Sequence, residues 1–210
     1  KTVRALRLLD EAGVGINLTV VLTSHNIDHL PQFLLYLAAH PSVRVVNLDA
    51  LRSLGRADGQ DLAPSPAQIE SMVPDMLDTL AFINQRRWPA LKVREVEQYY
   101  KRRSDITPQP YCLACKGKYA AVTPEGDVFP CSSLIHHDHY KVGETESSPW
   151  NALQPLVHDW GLPPGCATCP ARFYCRGGCP ARRIAATGSA RQKCELECAL
   201  RRAIYKRMVA

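Results

Sequence analysis

Apolar positions along the first 90 residues recur with two periods. Residues 2–12 place Val3, Leu6, Leu9 and Ala12 at helical spacing, and Gly13 ends the run. Residues 15–22, Gly-Ile-Asn-Leu-Thr-Val-Val-Leu, are short and β-rich, the signature of a buried strand. Thr23-Ser-His-Asn26 then turns the chain into a second helix, predicted over 27–40, with Leu30, Phe33, Leu34 and Leu37 on its apolar face. A second strand is predicted over 43–49 and a loop over 53–66, where Gly55, Gly59, Pro64 and Pro66 cluster. The longest helix, over 67–87, carries Ile69, Val73, Met76, Leu77, Leu80 and Ile83. Pro74 inside it should kink it or shorten its start. One more strand is expected within 92–100, and 102–110 reads as a polar, Pro-containing linker.

Helix and strand in alternation are the rhythm of a parallel α/β sheet. Two full strands are too few to cover both faces of such a sheet. Further strands are therefore expected ahead of residue 1, in a protein of which this chain, opening on Lys1, is a fragment. Ligands bind at the carboxyl ends of parallel strands. That singles out Thr23, Ser24 and Asn26 after the first strand, with Asp49 and Leu54-Gly-Arg-Ala57 after the second. Each also reads as turn chemistry, and Asn26 and Asp28 as caps of the helix that follows.

The pattern changes after residue 110. Residues 119–122 and 128–130 are short strands around Thr-Pro-Glu-Gly-Asp, a hairpin signal that folds Cys131 back toward Cys112 and Cys115. A helix is expected over 150–160 with Leu153, Leu156 and Val157 on one face. Thr187-Gly188 is a turn, and a terminal helix is expected over 195–208.

This second half holds all nine cysteines, between Cys112 and Cys198. The densest run, Cys166-x2-Cys169-x5-Cys175-x3-Cys179, sets four thiols within 14 residues. No secretory signal opens the chain, so a cytoplasmic setting is expected, and there thiols stay reduced. The odd count also fits poorly with a closed disulfide framework. Metal ligation is left, as zinc or as iron–sulfur. Cys112-x2-Cys115 and Cys166-x2-Cys169 are the two knuckles a zinc ribbon uses, whereas the x5 and x3 gaps are unusual for one. Gly177 and Gly178 in the last gap let backbone amides approach cluster sulfides.

The formal charge of +6 suggests an acidic partner or nucleic acid only while the thiols are neutral. Two ligated [4Fe–4S] clusters, at about −2 each, would remove roughly four of those charges. Net charge is therefore poor evidence for a nucleic-acid partner, which is not expected. No run of about 18 apolar residues is present, so no membrane span is expected.

Cys112 or Cys115, Gly126-x4-Cys131, Cys166-x2-Cys169-x5-Cys175-x3-Cys179 and a final cysteine together resemble the SPASM domain of radical S-adenosylmethionine (SAM) enzymes. Thr-Pro-Glu-Gly-Asp-Val-Phe-Pro-Cys131 and Tyr-Cys175-Arg-Gly-Gly-Cys179 are phrases typical of it. Residues 1–100 are similar to the closing strands and helices of the partial barrel that precedes that domain, including Leu54-Gly-Arg-Ala57. The resemblance implies an α/β fold: the C-terminal part of a partial (β/α)6 barrel over 1–103, then a small α+β iron–sulfur domain over 104–210. It implies two auxiliary [4Fe–4S] clusters, one on Cys112, Cys115, Cys131 and Cys179, the other on Cys166, Cys169, Cys175 and Cys198, with Cys194 the alternative to Cys198. It implies a peptide or protein substrate whose side chain is modified, and an electron donor such as a flavodoxin or ferredoxin. S-adenosylmethionine and a third [4Fe–4S] cluster belong to the parent enzyme. The C-x3-C-x2-C motif that holds that third cluster is absent: Cys194-x3-Cys198 begins like it, but Arg201 stands at its third position. This chain alone is therefore expected to be inactive. A module that binds metal without catalysis is the other reading.

Three features stand outside the motif. His136-His-Asp-His139 reads as a solvated loop before Gly143. Tyr99-Tyr100-Lys-Arg-Arg103 reads as a solvated strand, and Trp88, Trp150 and Trp160 as core.

Overall fold

The computed structural model describes residues 1–52, 55–105, 107, 109–135, 137–147, 149–153 and 160–210. It divides into two compact units, residues 1–104 with 195–210, and residues 105–194. Sequence spacing groups 195–210 with the cysteines, whereas contacts group them with the first unit.

The first unit is mixed α/β. Helix α1 (Thr2–Glu11) leads into β1 (Ile16–Leu22), α2 (Leu30–Ala38), β2 (Val43–Ala50), α3 (Pro66–Asn84), β3 (Lys92–Val93) and α4 (Arg94–Arg102). The three strands form one parallel sheet in the order β1-β2-β3, with Val20 opposite Leu48 and Val46 opposite Val93. β2 lies in the middle; Val46, Leu48 and Ala50 are buried on one face, while Val45, Asn47 and Asp49 on the other are half-buried. Helices cover the sheet with Leu30, Leu34 and Leu37 of α2 and Ile69, Val73, Met76, Leu80 and Ile83 of α3.

Local chemistry sets where α3 starts. Ser65 Oγ accepts from the Gln68 amide at 3.1 Å and Gln68 Oε1 accepts from the Ser65 amide at 2.9 Å, a capping box with Pro66 at the first helical position. The helix runs on through Pro74, and its start is not shortened. Two apolar faces differ from expectation: Phe33 points outward on α2, and on α1 only Leu6 is buried.

Residues 94–102 are helix rather than strand. Val93, Val96 and Tyr99 carry strand-forming side chains, yet burial falls on Glu95, Val96 and Tyr99, one face at helical period. Buried Glu95 accepts from the Leu48 amide at 3.1 Å and so ties α4 to β2. The tyrosine and arginine run accordingly sits on α4: Tyr99 is buried edge-on to Tyr205, and the Arg103 guanidinium lies 5.4 Å over the Tyr100 ring. Trp88 is 92% exposed, not core, while Trp160 is buried. The Trp150 side chain lies outside the described set.

Two polar knots fasten this unit. Asp10 meets His40 Nδ1 at 2.6 Å and accepts from the Ser42 amide at 3.0 Å. Arg87 donates to the carbonyls of Leu37, His40 and Val43 at 3.3, 2.9 and 2.6 Å, closing the end of α2 onto the start of β2. The terminal helix α7 (Glu195–Val209) packs on α3 with Ala199, Leu200 and Ile204 buried, and Arg207 reaches Asp78 at 2.7 Å.

The second unit holds a three-stranded antiparallel sheet, β4 (Ala121–Val122), β5 (Asp127–Phe129) and β6 (Gly143–Glu144), followed by the short helices α5 (Arg172–Cys175) and α6 (Pro180–Thr187). Of the helix expected over 150–160, Pro149–Ala152 forms a 3-10 turn, and 154–159 lie outside the described residues. No described helix is long and apolar enough to cross a membrane.

Candidate metal centre

The β4–β5 hairpin closes as its sequence dictates. The Thr123 amide donates to Asp127 O at 2.9 Å and the Gly126 amide to Thr123 O at 3.0 Å. Gly126 has φ +91°, and a Cβ there would lie 3.1 Å from Thr145 Oγ1, so this position requires glycine. Lys141 ties β5 to β6 through Asp127 at 2.6 Å and Glu144 at 3.1 Å, and both carboxylates push its ammonium pKa up.

The second unit also holds a small apolar core of Ala114, Leu134, Trp160, Ala181, Ile184 and Ala190. Cys115, Cys131, Cys179 and Tyr140 pack against it. Three segments distant in sequence thus deliver one thiol each to the same floor. Cys112 joins them through Cys115, the two Sγ atoms being 3.6 Å apart. The Cys115 thiol is pushed well above its ordinary range by its hydrogen bond to Cys112, then by burial and by the neighbouring Cys112 and Cys179 sulfurs. Without a cation the Cys115 thiol holds its proton, and a metal bound there would have to displace it.

The loop that carries Cys179 is built from consecutive left-handed residues: Arg176 at φ +55°, Gly177 at +79° and Gly178 at +76°. A Cβ on Gly177 would lie 2.8 Å from Leu162 Cδ2. Arg176 is anchored by Asp105 and the Pro110 carbonyl, but its Nε is buried with no hydrogen-bond partner among the described residues. An orphaned donor between Cys175 and Cys179 suits an acceptor-rich cluster.

The other candidate ligands are less gathered. Cys166, Cys169 and Cys175 are half-buried, with a turn between the first two closed by the Cys169 amide on Cys166 O at 3.2 Å. Helix α7 opens at Glu195, so buried Cys194 stands immediately ahead of it, in the unit that holds the other seven candidate ligands. Cys198 sits one turn inside α7, in the first unit. Among the described residues, no group of three or more His, Cys, Asp or Glu side chains is arranged to hold a single metal ion.

The remaining candidates resolve into local structure. Asn26 Oδ1 accepts from the Thr23 amide at 2.8 Å and its Nδ2 donates to Val21 O at 2.9 Å, so it closes the turn after β1 rather than capping a helix. The Ser24 amide donates to Leu62 O. Leu54 and His136 lie outside the described residues. His137 and His139 stand edge-on to Tyr140, whose ring stands edge-on to Trp160. Sequence reasoning missed the arginines: Arg172, Arg176 and Arg183 surround the cysteine loop, and clustering of Arg within 172–183 was the available signal.

No protein-family model matches the chain, and no curated protein matches it. Solved structures do. Against polyhistidine-tagged anSMEcpe with bound AdoMet the TM-score is 0.70 at 18% identity, covering 97% of this chain and 55% of that one. Against native anSMEcpe with bound AdoMet and Cp18Cys peptide it is 0.67 at 17% identity, covering 97% and 58%. Against SuiB from Streptococcus suis it is 0.55 at 15% identity, covering 91% and 47%. The chain thus spans about half the length of the solved chains it matches. The first of these is an anaerobic sulfatase-maturating radical SAM/SPASM enzyme. At these identities the likeness establishes the fold: the chain is folded as the corresponding half of a radical SAM/SPASM enzyme.

Proposed function

We propose that this chain is the C-terminal portion of a radical SAM/SPASM maturase that modifies a side chain of a ribosomally made peptide or protein. Residues 1–103 would be the end of the barrel and 104–210 the SPASM domain by motif, with α7 returning to the first unit. Cys112, Cys115, Cys131 and Cys179 hold one auxiliary [4Fe–4S] cluster. Cys166, Cys169 and Cys175 hold a second, completed by Cys198 or Cys194. Such a cluster supplies one-electron chemistry and an anchoring point for substrate. The protein's part is to present thiols from separate segments, screen them from water with the floor under Leu134, and offer amide and guanidinium donors to the sulfur atoms. S-adenosylmethionine, the third cluster and a flavodoxin- or ferredoxin-type donor belong to the parent enzyme.

The observation that carries this reading is the convergence of Cys115, Cys131 and Cys179 on one apolar floor, with Cys112 beside them. Anaerobic reconstitution followed by iron and sulfide analysis tests it: about eight of each per chain are expected. The coding sequence upstream of Lys1 is expected to contain C-x3-C-x2-C, and its absence there would overturn the role of the parent enzyme.

One distance favours a second reading, a structural zinc. Two thiolates on one tetrahedral zinc, at bonds of about 2.3 Å, sit about 3.8 Å apart, close to the 3.6 Å between Cys112 and Cys115. Stoichiometric zinc with no sulfide would establish that reading and sink the first.

A further inference from the structure

The buried stripe of α3 runs through Ile69, Val73, Met76, Leu80 and Ile83 at helical period, and Phe82 falls outside it, 66% exposed. On α2 the buried stripe is Leu30, Leu34 and Leu37, which leaves Leu35 46% exposed. Trp88, just past the end of α3, is almost wholly exposed. These three side chains border one open cavity of about 470 Å³, which Ala38 and Arg86 also line. Phe33 and Tyr36, exposed on the same helix as Leu35, stack with ring centroids 6.2 Å apart. At about 150–250 Å² per aromatic side chain, the exposed parts of these five residues come to roughly 600 Å². That is the top of the ~300–600 Å² span of the largest apolar patch on an ordinary monomer. It falls short of the ~800 Å² per partner of a stable interface by about what a polar rim supplies.

The charges around Phe82 select the occupant. Asp78 lies one helical turn before it. The Arg86 amide donates to Ile83 O at 3.4 Å, which carries the helical path on and sets Arg86 about one turn after Phe82. Acid, aromatic ring and base thus follow one another along one side of α3. A two-fold axis at Phe82 would place each copy's Arg86 against the other's Asp78, so the face is complementary to itself. Arg207 takes Oδ1 of Asp78 at 2.7 Å, yet the Asp78 side chain is 63% exposed and open to a second cation. Trp88 leads into β3, at the opposite edge of the sheet from β1, so chain joined ahead of α1 meets the other edge first.

We propose that this face binds a second copy of the chain about a two-fold axis at Phe82, with the Trp88 ring of each copy seated in the other's groove between Leu35 and Phe82. None of the candidate metal ligands lies in these segments, so dimerisation and metal binding hold or fail separately.

Sedimentation velocity on iron-loaded chain, from about 1 to 100 μM, reads the association. A dimer is expected to predominate by about 10 μM. Trp88→Ala and Phe82→Ala, both at exposed positions, should each weaken it about 30-fold or more. Arg86→Glu and Asp78→Arg should each be monomeric alone, because like charges then meet across the axis, and an equimolar mixture of the two should recover the dimer. That recovery is a readout that a merely structural role for either residue would not give. Monomer throughout the range overturns the proposal. So does a dimer unchanged in both alanine variants, or charge variants that do not complement each other. A dimer of this chain that is lost when the segment upstream of Lys1 is present assigns the face to that segment and also overturns it.

Discussion

Arg87 offers the sharpest test of how the first unit is held. Its guanidinium donates to three carbonyls, Leu37 O, His40 O and Val43 O, where α2 ends and β2 begins. Arg87→Met keeps the aliphatic stem and removes every donor. The 3.3 Å contact counts for little, while the 2.9 and 2.6 Å bonds are charge-assisted. Taken at the low end, because Arg87 is only partly buried, those two contribute about 1.5 kcal/mol each. A cation at the end of α2 adds a few tenths. The expected loss is about 3 kcal/mol, a large share of the ~5–15 kcal/mol that holds a typical domain. With a urea dependence of about 2–3 kcal/mol per molar, the midpoint should fall by about 1 M. Arg87→Lys, a point charge that cannot fork, should lose roughly half as much. Far-UV circular dichroism suits the measurement, since every described helix of nine residues or more lies in residues 1–104 and 195–210. A midpoint shift in Arg87→Met below about 0.3 M would refute the reasoning.

Leu134→Ala should cost about 3–4 kcal/mol, because three of its core neighbours are alanines that cannot swing in to fill the cavity. The variant should also retain less iron after reconstitution, whereas Leu134→Met should stay within about 1.5 kcal/mol of the parent. Cys194→Ser and Cys198→Ser separate the last ligand from the spare thiol: one should lower iron from about eight to about four per chain, and the other should leave it unchanged. Asp10 is held below its ordinary value of 3.8, first by His40 and then by the Ser42 amide. A depressed carboxylate contributes stability that is full above its unfolded pKa and is lost as pH falls through the folded one. Urea midpoints should therefore drop from about pH 5 downward, and Asp10→Asn should lower the neutral value and flatten the acid limb.

Much of the first unit was legible because its signals are local. β1 and β2 are continuous β-rich runs bounded by turns, and Ser65-Pro66 with Gln68 announces the start of α3. Residues 94–102 misled because composition was weighed above period: Val93, Val96 and Tyr99 favour strands one by one, but their spacing of three is helical. That Glu95 would be spent on a β2 amide depends on tertiary placement, which no single sequence displays. The cysteines show the same division. Spacing marked them as candidate ligands, but only the fold shows Cys115, Cys131 and Cys179 sharing a floor.

The return of α7 to the first unit has a consequence in time. Residues 105–194 are a continuous stretch, while the unit that precedes them stays incomplete until residues 195–210 are made. During synthesis from the N-terminus, the cysteine-bearing stretch therefore emerges whole while α3 still lacks the helix that covers it. On the proposed reading, metal capture by residues 112–194 can begin on the nascent chain before the first unit is complete. A truncation after residue 104 would expose the α7-facing side of α3 and should aggregate, whereas a deletion of 105–194 that keeps α7 would preserve that packing.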